Sequence, residues 1–424
     1  LHPGSLWNRD FVLLCVSSFI GSIGAQFGLL AIPWLALQLS GSPLALGALL
    51  GLEGMTRAAL MLVGGAICDA YAPRPILLAG ACINICLSIL MATLIWTGTV
   101  QLWILFPIAL VTGALSGFTI PASGSIVPAM VTQNHLQSAN AIIMGSQQII
   151  GIFGPVIAGM VIGFFDKALP GISVVFAISA LTFIVSAASL TAIGRGKIQW
   201  LQTTTTGDWL TSLKNSIVSG VAYVTGNPEL RFFTIGAGLA NLLVIGPIIV
   251  GIPVLAAQRF SGGAQTFGLL LASLSAGGLT GFALAASLPK PGNTGIRIAM
   301  VSLMTAMALM MTGLAFSQNV WLDAALLLLS GIGNGYLTVL ILTRVQLATA
   351  ADMQGRVMSI FMLAGASAAP LSQVISGAIA QQDVTLLFCG AGALCLLLSA
   401  WIANHAALKT SARPSAADRA ANAG

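Results

Sequence analysis

Glu53 and Arg57 stand four residues apart on one helical face, in the middle of an apolar stretch that runs from Leu44 to Cys68. A bare charge at the centre of a membrane helix costs roughly 2.5–3.5 kcal/mol on insertion scales, so such residues tend to mark ion or solute pathways. A carboxyl group at that depth can carry a proton. A guanidinium beside it can hold the carboxylate until a ligand's acidic group displaces it. The plainer alternative is a pair that neutralises itself and packs against a neighbouring helix. Glu53 is the only acid deep within a predicted span, so a proton-driven process would run through it.

Composition says what must position that pair. Of the 424 residues, 57% are hydrophobic and 6% charged, and mean hydropathy is +0.98, more apolar surface than a water-soluble domain can hide. Hydropathy and helix breakers predict twelve spans, near 11–37, 43–68, 75–97, 101–126, 137–164 and 171–193, then 231–257, 264–287, 295–317, 320–345, 355–381 and 384–404. Residues 1–193 and 231–405 are thus expected to form two six-helix bundles. The polar stretch 194–230 between them reads as a cytoplasmic linker holding an amphipathic helix, and the tail 406–424 as disordered. The first apolar segment is too long for a signal h-region, so it is expected to stay as a span. The 48 glycines fit helices that approach closely, because lipid gives them no hydrophobic reason to associate.

Charge placement sets the expected orientation. All but Arg57, Lys167 and Arg259 of the 16 basic residues fall on the side of the two termini. That asymmetry predicts a multi-pass protein of the cell (inner) membrane with both termini cytoplasmic. Trp96, Trp103 and Trp321 sit near the opposite helix ends, where indoles favour the interface. No basic run or basic–aromatic patch points to nucleic acid. Cys82 and Cys86 share a helix face, but no histidine or acid joins them, so neither a metal nor a cofactor is expected. GRGKI at Gly194 to Ile198 lacks the upstream glycine and the Ser/Thr of a phosphate loop, which argues against an ATP-driven pump. Acyltransferase, zinc-protease and serine-hydrolase patterns are missing too, so the chain is expected not to be an enzyme.

The two halves echo each other. Gly151 to Gly159 reads GIFGPVIAG in the fifth span, and Gly365 to Gly377 reads GASAAPLSQVISG in the eleventh. Each sets glycines around one mid-span proline, the mark of a duplicated transporter fold, which makes Gly154, Pro155 and Pro370 candidate hinges. GAICDAYAPRPILL (Gly65 to Leu78) resembles the loop signature of the major facilitator superfamily. LWNRDF (Leu6 to Phe11), AIPWLALQLSGSPLALG (Ala31 to Gly47), GFTIPASGSIVPAMV (Gly117 to Val131), LQSANAI (Leu136 to Ile142) and QGRVMSIF (Gln354 to Phe361) carry the resemblance along nearly the whole chain. Together they are similar to its drug:proton antiporter-3 branch, which contains macrolide and siderophore exporters. The chain departs from that pattern at Ala70 and Pro73, which leave Arg74 as the loop's lone basic residue, and at Ala25, where many relatives carry an acid.

The resemblance implies an all-α membrane protein of the major facilitator fold. It implies a monomeric secondary active transporter in the lipid bilayer, exporting an amphipathic small molecule (drug or siderophore-like metabolite) by alternating access in exchange for protons. Asp69 would then dock near the start of the eleventh helix, where Arg356 and the helix N-terminus favour a carboxylate, so Asp69, Arg74 and Arg356 are expected to gate. The first, fourth, seventh and tenth helices would line the cavity, offering Gln26, Trp34, Phe118, Asn241 and Asn334 as wall candidates; the amides among them could equally be helix–helix contacts. A lysophospholipid flippase of the same fold and a non-transporting membrane sensor stand as alternatives.

Overall fold

The computed structural model describes residues 7–70, 72–128, 130–132, 135–165, 167–193, 209–288, 291–350 and 353–404. Within these, the side chains of 62, 66, 69, 70, 209–217 and 293 also fall outside the description. Twelve of the helices are long and apolar enough to cross a membrane. The first half holds α1 (Arg9–Ser40), α2 (Pro43–Ala70), α3 (Pro73–Trp96), α4 (Leu102–Ile126), α5 (Leu136–Gly163) and α6 (Ala168–Ala192), and the linker contributes α7 (Trp209–Gly226). The second half opens with one long span, Pro228–Arg259, made of α8 (Pro228–Gly246), a π-helical turn (Pro247–Gly251) and α9 (Ile252–Arg259). It continues with α10 (Gly263–Ser287), α11 (Asn293–Phe316), α12 (Val320–Leu347), α13 (Gln354–Gln382) and α14 (Val384–Asn404). The hydropathy reading placed every span to within a turn.

The π turn was not anticipated. Pro247 has no N–H to give the preceding turn, so the regular ladder cannot continue through it. Beside it, the Gly246 N–H leaves the helix to donate to Ser372 Oγ of α13 at 2.7 Å. A side chain at Gly246 would strike the backbone of Ser372, so only glycine lets the two helices meet there.

The duplication extends to helix starts and helix pairs. Asn8 caps α1 by accepting from Phe11 N at 2.7 Å, and Asn227 caps α8 by accepting from Glu229 N at 3.0 Å. In each case an acid follows two residues later, Asp10 or Glu229. Asn8 Nδ2 donates to Met130 O just beyond α4, and Glu229 accepts from Arg344 at the end of α12 at 2.7 Å. Each half therefore ties the start of its first span to the end of its fourth. The second and fourth spans of each half also pack through glycines. Gly64, Gly113 and Gly117 bring α2 against α4, while Gly277, Gly281, Gly331 and Gly335 bring α10 against α12.

The linker helix does not stand free. Gly220 on α7 has Ile360 and the Arg356 backbone of α13 within 3.4 Å of where a Cβ would sit. Tyr223 Oη accepts from Ala350 N at 3.3 Å. The helix foreseen in the linker thus docks on the start of α13.

Candidate functional site

The halves meet along two seams, α2 against α13 and α5 against α10, related by the duplication. On α2 the seam stripe is Gly47, Gly51 and Gly54. A Cβ at Gly47 would sit 2.5 Å from Gln373 O, and one at Gly54 would sit 2.9 Å from Pro370 Cγ. On α5 the stripe is Gly159, Pro155, Gly151 and Gln148. Gly159 abuts Ala264 O, Pro155 O abuts Gly268, and Gln148 Nε2 donates to Ser275 O at 3.1 Å. Gln381 of α13 closes the rim, accepting from Ser42 Oγ at 2.7 Å and from Leu44 N, one of the open amides at the start of α2, at 3.3 Å.

These contacts run from the rim remote from the termini to the middle of the membrane, where Gln148 meets Ser275. One turn further toward the termini the same stripes come apart. Met144 on α5 is 70% exposed and Phe282 on α10 is 39% exposed. Gly65 on α2, Gly145 on α5 and Gly355 on α13 have no described residue within 4 Å of a notional Cβ. The protein is sealed on the far side and parted on the side of its termini.

Glu53 and Arg57 lie where the seam ends. Gly54, between them, is the last α2 glycine against α13, and the Glu53 carbonyl abuts Gly113 of α4. Both side chains are partly buried, and no ion pair joins them. Gln26 of α1 lies at similar depth, its Cβ 2.7 Å from where a Cβ of Gly154 would be, and Gln147 Nε2 donates to Ser18 Oγ at 3.3 Å. A charged pair on α2 and the amides of α1 and α5 therefore stand at similar depth, near mid-membrane, where the seams end.

The other predicted residues spread more widely. Trp34 is buried in the far seam, stacked on Phe267 of α10 with ring centroids 6.2 Å apart. Phe118 lies at the α2–α4 contact, its carbonyl accepting from Cys68 Sγ at 3.8 Å. Asn241 donates to Ala237 O in its own helix and faces Gly365 of α13. Asn334 is exposed at mid-span with Thr338 one turn on; an amide is costly in lipid, which assigns that face to the open side of the bundle. Of the hinge candidates, Gly154 packs on Gln26, while Pro155 and Pro370 both lie in the seams inside continuous helices. Arg74 caps α6, donating to Leu190 O and Thr191 O at 2.8 Å each. Arg356 donates to Ser219 Oγ of α7 at 3.3 Å. Asp69 is in the last turn of α2, and its side chain lies outside the described residues.

Sequence reasoning missed a second buried carboxylate. Asp323, in the first turn of α12 on the far side, is fully buried, with Ser317 and Arg259 as its polar neighbours. It stands at a span's end, where a charge is ordinarily interfacial. The signal available was an arginine, Arg259, on the side where basic residues are scarce.

Twelve spans in two matched halves, sealed on one side around a polar floor, define a membrane transporter and not an enzyme. The family model "Transmembrane secretion effector" matches residues 4–422, and the chain belongs to that family of major facilitator superfamily transporters. It is similar to an uncharacterized MFS-type transporter, y4rN, of Sinorhizobium fredii, at 27% identity over 270 residues, a stretch covering 63% of this chain and 63% of that relative's length. Among solved structures it resembles the nucleoside transporter NupG (TM-score 0.73, 13% identity, 93% of this chain and 99% of that one). It also resembles a bacterial homologue of the iron transporter ferroportin (TM-score 0.71, 16% identity, 94% and 99%). At these identities the likeness concerns the fold alone.

Proposed function

We propose that the protein is a secondary active exporter that moves an amphipathic small molecule, a drug or siderophore-like metabolite, outward in exchange for protons. The observation that carries this reading is the place of Glu53, a partly buried carboxyl at the floor where the seam ends, beside an arginine that does not neutralise it by contact. The excess of basic residues on the side of the termini supports a cytoplasmic location for that side. The parted side is then inward-open, the state in which an exporter loads. In this scheme Glu53 takes a proton when the far side is open and releases it inward as substrate arrives. Arg57 holds the bared carboxylate or receives an acidic group of the substrate. The family's description as a secretion effector supports outward movement.

The test is efflux of macrolides, dyes and siderophores from expressing cells, with and without protonophore, for wild type and Glu53→Gln. Protonophore-sensitive efflux that falls in the mutant to the level of cells without the protein is expected. Efflux that survives the substitution would remove Glu53 from coupling.

Asp69 fits a latch that closes the cytoplasmic side by reaching the start of α13. The separation of α2 from α13 at that end, with Arg356 turned to Ser219, is what an open latch requires. Asp69→Asn should raise the reactivity of a cysteine placed at exposed Ser367 toward a thiol reagent applied from the cytoplasmic side. Unchanged reactivity would argue against the latch.

A further inference from the structure

Two polar atoms are sealed into the far-side seam without a hydrogen-bond partner among the described residues: Gln373 Oε1 on α13 and Trp34 Nε1 on α1. The two side chains are 7% and 4% exposed, so no water can reach those atoms while the seam is shut. Gln373 lies under the α2 glycine stripe, its Oε1 3.4 Å from a notional Cβ of Gly54. Trp34 is held between Phe267 and Gly263, whose φ of +51° and notional Cβ 3.3 Å from Trp34 Cζ2 leave room only for glycine. Both atoms would be hydrated once the halves parted on this side. A buried orphan weakens the state that buries it, whereas the rim bonds from Gln381 to Ser42 and Leu44 strengthen that same state.

We propose that Gln373 and Trp34 are gate-poising residues: their partnerless polar atoms oppose the Gln381 rim clasp and keep the closed far-side seam weak enough to part. A seam of close glycine contacts alone would rest shut, and a transporter needs both states within reach. The idea rests on alternating access between the halves, and on neither substrate, direction nor coupling ion. Failure of the efflux assay would therefore leave it intact.

The experiment measures the distance between spin labels at Trp96→Cys and Trp321→Cys, both native side chains being over 70% exposed at far-side helix ends of opposite halves. The full-length chain, with its six native cysteines replaced, is reconstituted in lipid nanodiscs. Gln381→Ala should populate the longer, far-side-open distance at the expense of the shorter one. In that background Gln373→Met, which keeps the side chain's size and removes its polar atoms, should raise the closed-to-open ratio by about 5- to 150-fold, the range expected for relieving one buried orphan. Gln373→Leu serves in its place should the methionine variant not fold. A ratio left unchanged, or moved toward the open distance, would overturn the proposal, since the glutamine would then be satisfied when sealed. A distance distribution unmoved by Gln381→Ala would overturn the clasp side of the balance.

Discussion

Gly47→Ala should force the far-side seam open, although it adds a single methyl group. Its Cβ would sit 2.5 Å from Gln373 O and 2.8 Å from Gly377 Cα, both backbone atoms that no rotamer change can move aside. The reciprocal contacts are as close, with a Cβ at Gly377 2.7 Å from Pro43 O and 2.8 Å from Gly47 Cα. Overpacking of this kind costs about 1–3 kcal/mol, and here the strain falls on one conformational state, because it vanishes when α2 leaves α13. The equilibrium should therefore swing toward the far-side-open state by about 5- to 150-fold, while insertion and helix content stay as they are. Gly47→Leu should go further and stop transport. A cysteine at Val374, inside the seam, reports the change: a membrane-impermeant maleimide applied from the far side should label it in Gly47→Ala and spare it in the parent. Gly65→Ala is the control, since no described residue lies within 4 Å of a Cβ there. Equal labelling of Val374→Cys in Gly47→Ala and its parent would mean that the seam does not hold that side shut.

The twelve spans were legible because hydropathy has few other ways to be satisfied in lipid, and the helix ends follow from Asn caps, prolines and glycines in the local sequence. Glu53 and Arg57 were legible as a pair for the same reason: charge at span depth is rare. What the residues did not disclose is which faces meet. The glycines of α2 read alike in sequence, yet Gly47, Gly51 and Gly54 serve the seam while Gly64 serves α4. Trp34 reads as a cavity-wall candidate, and only the docking of α10 on α1 reveals that it is buried in the seam instead. The rim clasp needed Gln381 and Ser42 brought together from opposite halves, a pairing with no local signal. Which side is sealed could not be read at all, since a transporter's sequence must suit both states.

Arg259→Ala should unfold the second half at a markedly lower temperature than the parent. Arg259 ends α9 and fans out over its neighbours. Nη1 donates to Leu314 O at 2.9 Å and to Ser317 O at 3.1 Å, and Nη2 donates to Ala315 O at 2.7 Å and to Thr385 Oγ1 at 2.9 Å. Three of these acceptors are carbonyls at the C-terminal end of α11, which have no intrahelical donor and carry the negative end of its dipole. The same guanidinium also acts on the fully buried Asp323 of α12, though no ion pair within 4 Å joins them. Alanine would strip donors from the carbonyls and remove the cation that acts on that carboxyl, and each buried acceptor left without its donor costs about 1–3 kcal/mol. Lysine keeps the charge but not the planar fan, so Arg259→Lys should fall between alanine and wild type. If Asp323 contributes through charge, adding Asp323→Asn to Arg259→Ala should recover part of the loss, because a neutral amide needs no cation. Two native thiols separate the halves in the readout. Cys395 in α14 is 0% exposed and Cys68 in α2 is 8% exposed, so a thiol-reactive dye followed by peptide mapping dates the opening of each. Cys395 should become reactive at lower temperature in Arg259→Ala while Cys68 keeps its parent profile. Coincident profiles in mutant and parent would show that the arginine fan does not hold the second half together.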